Sequence, residues 1–310
     1  MANKLFRILS LDGGGAKGFY TLGALYEIEK LCGGRLCEKF DLIYGTSTGS
    51  IIGTLLALGY SVDEIYSLYD EHVLKLVGKK TSRGKSNALQ ELADEVFGEF
   101  SVDDIKTGIG IVATRWVIET PMIFKASIDQ AHGRKASFAP FFGVSISEAV
   151  QASCSAYPFF KRKFVRTESN EDVELIDGGY CANNPTLYAI IDAIRALKIP
   201  ADQIRVVSIG VGKYPPVRKC ILNPMFWVNR LPSVRLLQKT LEINTQSIEQ
   251  LREVLFKNIE TVRISERYSE PDMATNLFEQ NKKKLNVLWQ RGKSSFAKHE
   301  TKLREYLLEE

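Results

Sequence analysis

The sequence predicts an α/β fold, a mostly parallel central sheet flanked by helices, followed by a helical C-terminal extension. Three observations carry that expectation. Apolar strand-like runs enter glycine turns in FRILSLDGGG, FDLIYGTSTG and VELIDGG. The first two are followed at once by apolar residues at helical spacing, the alternation of strand and helix that builds such folds. After about residue 213 prolines cluster, and charged, helix-like sequence runs to the end without clear strands.

Taken in order, FRILSL is a buried strand and YTLGALYEIEKLC a helix. FDLIYG (40–45) is the next strand, and a very apolar helix starts near Thr48. Ser61 and Glu64 have the form of a capping box opening a further helix. GKKTSRGKS (78–86) is polar, basic and glycine-containing and reads as a mobile loop. Residues 108–127 hold two β-rich runs around Pro121. SISEAVQASCSA is a helix ended before Pro158, and VELIDGG (173–179) is a strand. Asn184 is a candidate N-cap with Pro185 at the first helical position. IRVVSIGVG (204–212) closes a core of residues 1–212, with 213–310 as the helical extension packed on the same domain.

Composition bounds the function. The chain has 310 residues, 45% hydrophobic and 25% charged, which excludes a disordered or fibrous protein. Net charge is +4, and residues 201–310 carry 19 basic against 13 acidic side chains. Five cysteines form no CxxC pair, so reduced thiols and a cytosolic chain are expected, without a metal centre or disulfide framework. No run of about 18 apolar residues exists, so any membrane contact is expected to be peripheral. No signal peptide, cofactor or nucleic-acid polymer is expected.

The chemistry concentrates in three short motifs. Gly45-Thr46-Ser47-Thr48-Gly49, between strand and helix, has the context of a nucleophile elbow that projects Ser47 at a helix head. Asp177 closes a strand before Gly178 and Gly179 and can accept the Ser47 proton, provided an apolar site raises its pKa. Parallel-strand ends converging on one crevice would bring the two together. Gly13, Gly14 and Gly15, with the Thr48 amide, would supply N–H donors to a tetrahedral oxyanion.

DGGGAKG, GTSTG and DGG, in this order, resemble the patatin-like phospholipases, across roughly residues 5–212. The resemblance implies a three-layer fold, a Ser47–Asp177 dyad acting on lipid acyl esters, and an oxyanion hole at Gly13–Gly15. Lys17 stands where family members often carry Arg, with Gly18 completing the block. AVQASCSAYPFF (149–160) is similar to the family's segment before the dyad acid. The chain further resembles compact bacterial members that act in anti-phage defence. These are switched on by a cyclic dinucleotide and degrade membrane phospholipid, which implies peripheral action at the inner membrane. An assembly of identical chains is compatible with this.

Alternatives remain at this stage. A Ser-His-Asp esterase would use His299, which follows serine and acid in chain order, although His72, His132 and His299 all read as surface residues. GGGAKG also fits G-x-G-x-x-G, so a non-catalytic nucleotide-binding module is the third reading. Candidate regulatory segments are 78–86, TRW (114–116), AHGRK (131–135) and KRKFVR (161–166). Candidate membrane segments are FAPFFG (138–143) and 223–239, the latter through Met225, Phe226, Trp227, Leu231, Leu236 and Leu237 beside Arg230 and Arg235.

Overall fold

The computed structural model describes residues 4–215 and 232–308. Among the described residues eight strands form one sheet: β1 (Phe6–Leu11), β2 (Leu42–Thr46), β3 (Gly108–Arg115), β4 (Pro121–Lys125), β5 (Lys163–Arg166), β6 (Asp172–Asp177), β7 (Ile204–Ile209) and β8 (Glu260–Ile264). Their order is β5-β6-β3-β2-β1-β7-β8, with β4 paired to β3. β3, β2, β1, β7 and β8 run parallel, whereas β4, β5 and β6 form the antiparallel pairs.

Both faces of the sheet are covered, as a parallel sheet requires. Successive side chains of β1 alternate between two cores, Leu9 and Leu11 on one side and Ile8 on the other. The first core takes α1 (Gly18–Cys32), α2 (Thr48–Leu58), α3 (Val62–Gly78), α4 (Ser82–Phe97) and α5 (Ile146–Ser153). The second takes α6 (Gly179–Ala182), α7 (Thr186–Ile191) and α8 (Pro232–Leu255). From the C-terminal part, α9 (Lys282–Ala297) and α10 (Glu300–Leu308) join the first core. α9 lies so close to α1 that a β-carbon at Gly292 would sit 2.0 Å from the Tyr20 carbonyl oxygen.

Several local expectations change. The capping box is formed, with the Ser61 N–H donating to Glu64 Oε2 at 2.7 Å. The loop expected at 78–86 is mostly helix: Thr81 Oγ1 caps α4 by accepting from the Gly84 N–H, leaving only residues 79–81 between α3 and α4. Leu89, Leu92, Val96 and Phe97 bury one face of that helix, and this outweighs its polar start. Beyond residue 213 the described residues are mainly helical, but Glu260–Ile264 adds an unexpected strand parallel to β7. Its β-branched Thr261, Val262 and Ile264 span too few residues to stand out among charged neighbours. Asn184 caps the turn into α7, its Oδ1 accepting from the Thr186 N–H at 3.1 Å, so the helix begins at Thr186 rather than Pro185.

One register decides where the site forms. β4 lies along one edge of β3, pairing with Gly110 to Thr114. β2 and β6 share the opposite edge: β2 pairs as far as Val112, and β6 takes over at Ala113, which faces Asp177. The two strands run towards each other and their C-terminal ends meet. Asp177 therefore reaches Ser47 from an antiparallel strand, not by the parallel convergence expected from sequence.

Candidate active site

Ser47 sits between β2 and α2 with φ 53° and ψ −126°, a conformation disfavoured for a residue with a side chain. The flanking glycines make the turn sterically feasible. A β-carbon on Gly45 would lie 2.3 Å from the Gly49 carbonyl oxygen, and one on Gly49 would lie 2.3 Å from that of Leu11. Hydrogen bonds hold the elbow: the Ser47 N–H donates to Ser153 Oγ at 2.9 Å, and Ser153 Oγ–H donates to the Val112 carbonyl at 2.6 Å. Ser50 Oγ–H donates to the Ser47 carbonyl at 2.6 Å. Ser153, at the end of α5, carried no signal in the sequence beyond its small-residue neighbourhood.

The Ser47 hydroxyl donates to Asp177 Oδ2 at 2.7 Å. Asp177 is buried, and its other oxygen accepts the Gly179 N–H at 2.7 Å. Burial pushes its carboxyl up to about 6, while the Gly179 and Ser47 hydrogen bonds pull the other way. The carboxyl therefore binds a proton more readily than a solvated one does.

The three loop glycines are not equivalent in this conformation. The Gly13 N–H donates to the Asn183 carbonyl at 3.0 Å, and the Gly14 N–H donates to Thr48 Oγ1 at 3.1 Å. The Gly15 and Thr48 N–H groups have no acceptor among the described residues. Gly15 adopts φ 57°, and its carbonyl accepts from Tyr69 Oη at 2.6 Å. A β-carbon on Gly18 would meet Tyr69 Oη at 2.3 Å, so this glycine admits the tyrosine. Asp12 is held by Arg263 of β8, whose Nη1 donates to Oδ1 at 2.8 Å and whose Nη2 pairs with Oδ2. That clamp is not legible in the sequence, because Arg263 sits on a strand of only five residues among charged neighbours.

Gly14, Gly15, Ser47, Thr48 and Asp177 open onto one apolar pocket walled by α2, α3, Phe159, Phe160 and Phe278. Its volume is about 70 Å³, well below the roughly 300–1,000 Å³ of occupied ligand sites. Lys17 does not line it but points into a separate, larger cavity. None of the three histidines lines it either. His299 lies 3.4 Å from Glu266, and His132 contacts Asp192. His72, expected at the surface, is buried beside Tyr69 and Val73 because it falls on the inward face of α3.

Of the accessory segments, Phe141 in 138–143 is core, packed 6.3 Å from Phe124, while Phe142 is partly exposed. Most of 223–239 lies outside the described residues; within it Leu237 is buried and Leu236 exposed. Within KRKFVR, Lys163–Arg166 form the edge strand β5, with Phe164 65% exposed. No helix among the described residues is long and apolar enough to cross a membrane, and none of them form a metal-binding group of acids, histidines and cysteines.

A serine on a strained elbow beside a buried carboxylate, in an α/β fold with helices on both faces of the sheet, belongs with the ester hydrolases. Residues 9–190 match the Patatin-like phospholipase family, and the chain belongs to it. The chain is 56% identical to a cUMP-AMP-activated phospholipase of Escherichia coli, covering 99% of this chain and 95% of that one. It is 25% identical to a cGAMP-activated phospholipase of E. coli strain TW11681 (71% and 66% covered) and to Patatin-like protein 1 of Arabidopsis thaliana (87% and 77% covered).

Proposed function

We propose that the protein is a phospholipase A-type acyl hydrolase whose nucleophile is Ser47 and whose base is Asp177. The observation that carries this reading is the 2.7 Å hydrogen bond from Ser47 Oγ to a buried Asp177 with a raised pKa. Ser47 Oγ attacks the ester carbonyl and its proton passes to Asp177 Oδ2. The oxyanion is stabilised by the Gly15 and Thr48 N–H groups, while Gly13 and Gly14 hold the loop in shape. Asp177 then protonates the departing lysolipid alcohol, and it later deprotonates the water that releases the fatty acid. A histidine triad has no support from the contacts of Ser47.

Activation by a cyclic dinucleotide is supported by the relatives' activity and by the small pocket, which has to widen before an acyl chain fits. Peripheral membrane contact is supported by a patch beside the pocket: Trp116, Val117, Ile118 and Phe164 are exposed. Arg162 stacks 5.1 Å from the Trp116 ring, and Tyr157, next to pocket residue Ala156, lies 5.6 Å from it. Basic and aromatic side chains together suit the headgroup region of an anionic membrane. In this reading the chain is one catalytic unit, residues 1–212 with 213–310 packed on it, working at the inner membrane in anti-phage defence.

Fatty-acid release from phospholipid vesicles, with and without cUMP-AMP, tests the proposal. Wild type should release fatty acid on nucleotide addition, and Ser47→Ala should not. Release by Ser47→Ala at the wild-type rate would remove Ser47 as nucleophile.

A further inference from the structure

A second cavity of about 580 Å³, within the size range of small-molecule sites, borders the glycine loop at Asp12, Gly13 and Lys17. Its chemistry differs from that of the Ser47 pocket. Lys17, Lys213, Lys239 and Arg267 converge on it from the loop, the end of β7, α8 and the end of β8. Two carboxylates also reach it: Asp12 is held by Arg263, and Glu242 lies 3.8 Å from Lys213. Lys17, Lys239 and Arg267 have no carboxylate within 4 Å among the described residues. Burial holds the Lys17 ammonium below its ordinary lysine value, so an anion arriving there would be favoured.

Two further features distinguish this cavity from a solvated basic surface. Gln238 and Tyr214 line it, and the Nε2 and Oη atoms of these two side chains are buried in its wall with no hydrogen-bond partner among the described residues. Buried polar atoms are ordinarily satisfied, so two such atoms within one cavity wall are groups that a small side-chain shift would offer to a hydrogen-bonding ligand. Tyr214 also stacks on Tyr268, with ring centroids 5.3 Å apart and planes at 12°, forming an aromatic wall.

We propose that this cavity is the activator site. It takes a cyclic dinucleotide, with the phosphodiesters on Lys17, Lys239 and Arg267 and a base against the tyrosine wall near Gln238. The assignment rests on the proposed nucleotide activation and adds where the nucleotide binds and how it acts. Asn183, Leu241 and Leu277 line both this cavity and the Ser47 pocket. The Asn183 carbonyl accepts the Gly13 N–H, and the Leu277 carbonyl accepts the Ala16 N–H at 2.9 Å. A ligand that draws in the loop and α8 therefore displaces Leu241 and Leu277 in the acyl pocket, and that widens it.

Calorimetric titration of full-length Ser47→Ala protein with cUMP-AMP and with cGAMP tests this without turnover. The same titrations on added Lys239→Ala or Arg267→Ala, both exposed side chains, locate the site. Melting curves check that each variant is folded. At least one nucleotide should bind, and each added substitution should raise its Kd at least tenfold, about 1.4 kcal/mol. In the Ser47 protein the same substitutions should shift the activation midpoint in proportion. Undiminished binding by both variants would place the nucleotide elsewhere and overturn the site while leaving activation intact. A wild type that neither binds nor responds to either nucleotide would overturn the activation reading itself. Glycerol 3-phosphate serves as the headgroup control: if it alone binds, through Lys239 and Arg267, the cavity is a lipid subsite and the proposal fails.

Discussion

Replacing Asp177 by Asn separates what the carboxylate does in chemistry from what it costs the fold. In the native structure its pKa rises from 3.8 to about 6, chiefly through burial. The fold thus binds the proton more tightly than the unfolded chain does. The stabilisation from protonation is fully present below pH 3.8 and is lost as pH rises through 6. A shift of roughly two units, at about 1.36 kcal/mol each, is a penalty of about 3 kcal/mol at pH 7.5. Asn keeps the shape and the Gly179 hydrogen bond but carries no charge. Asp177→Asn should therefore be more stable than wild type by about 3 kcal/mol at pH 7.5, a Tm higher by about 4–5 °C for a chain of this length. The gap should close by pH 4. Fatty-acid release should fall by about 10²–10⁴-fold as the base is lost. Scanning fluorimetry between pH 4 and 8, paired with the release assay, reads both effects. A variant less stable than wild type at pH 7.5, or a stability gap independent of pH, would refute the reasoning.

Two other perturbations probe the frame. Arg263→Gln leaves Asp12 buried without its charged partner, and it should cost about 3–5 kcal/mol in urea unfolding; a loss under about 1 kcal/mol would mean the loop is held by other contacts. Trp116→Ser combined with Ile118→Ser should weaken vesicle binding about thirtyfold, since half-burying each of the two side chains is worth on the order of 1 kcal/mol. Hydrolysis of a soluble short-chain ester should be unchanged, and unchanged vesicle affinity would move the membrane contact elsewhere.

What was legible in the sequence tracks how local the physical cause is. The elbow at Ser47 was readable because its geometry needs glycine at positions 45 and 49, where any β-carbon collides with backbone. Asp177 was readable as an acid at a strand end, but the direction of its strand was not. β6 is antiparallel because β3 offers it the edge that β2 vacates beyond Val112, a register no local pattern records. The glycine loop is legible as a tight turn after a strand, whereas which of its amides are already bonded depends on Thr48 and on Asn183, far along the chain. Arg263 reaches Asp12 across 251 residues from a strand of five. The basic cavity is the extreme case: Lys17, Lys213, Lys239 and Arg267 share no motif, and each reads singly as solvated charge. Only the packing of β8 beside β7 and of α8 near the glycine loop gathers them at one cavity. The same loop therefore forms a wall of both sites. A motif that is local in sequence in this way borders a cavity that exists only in the folded chain.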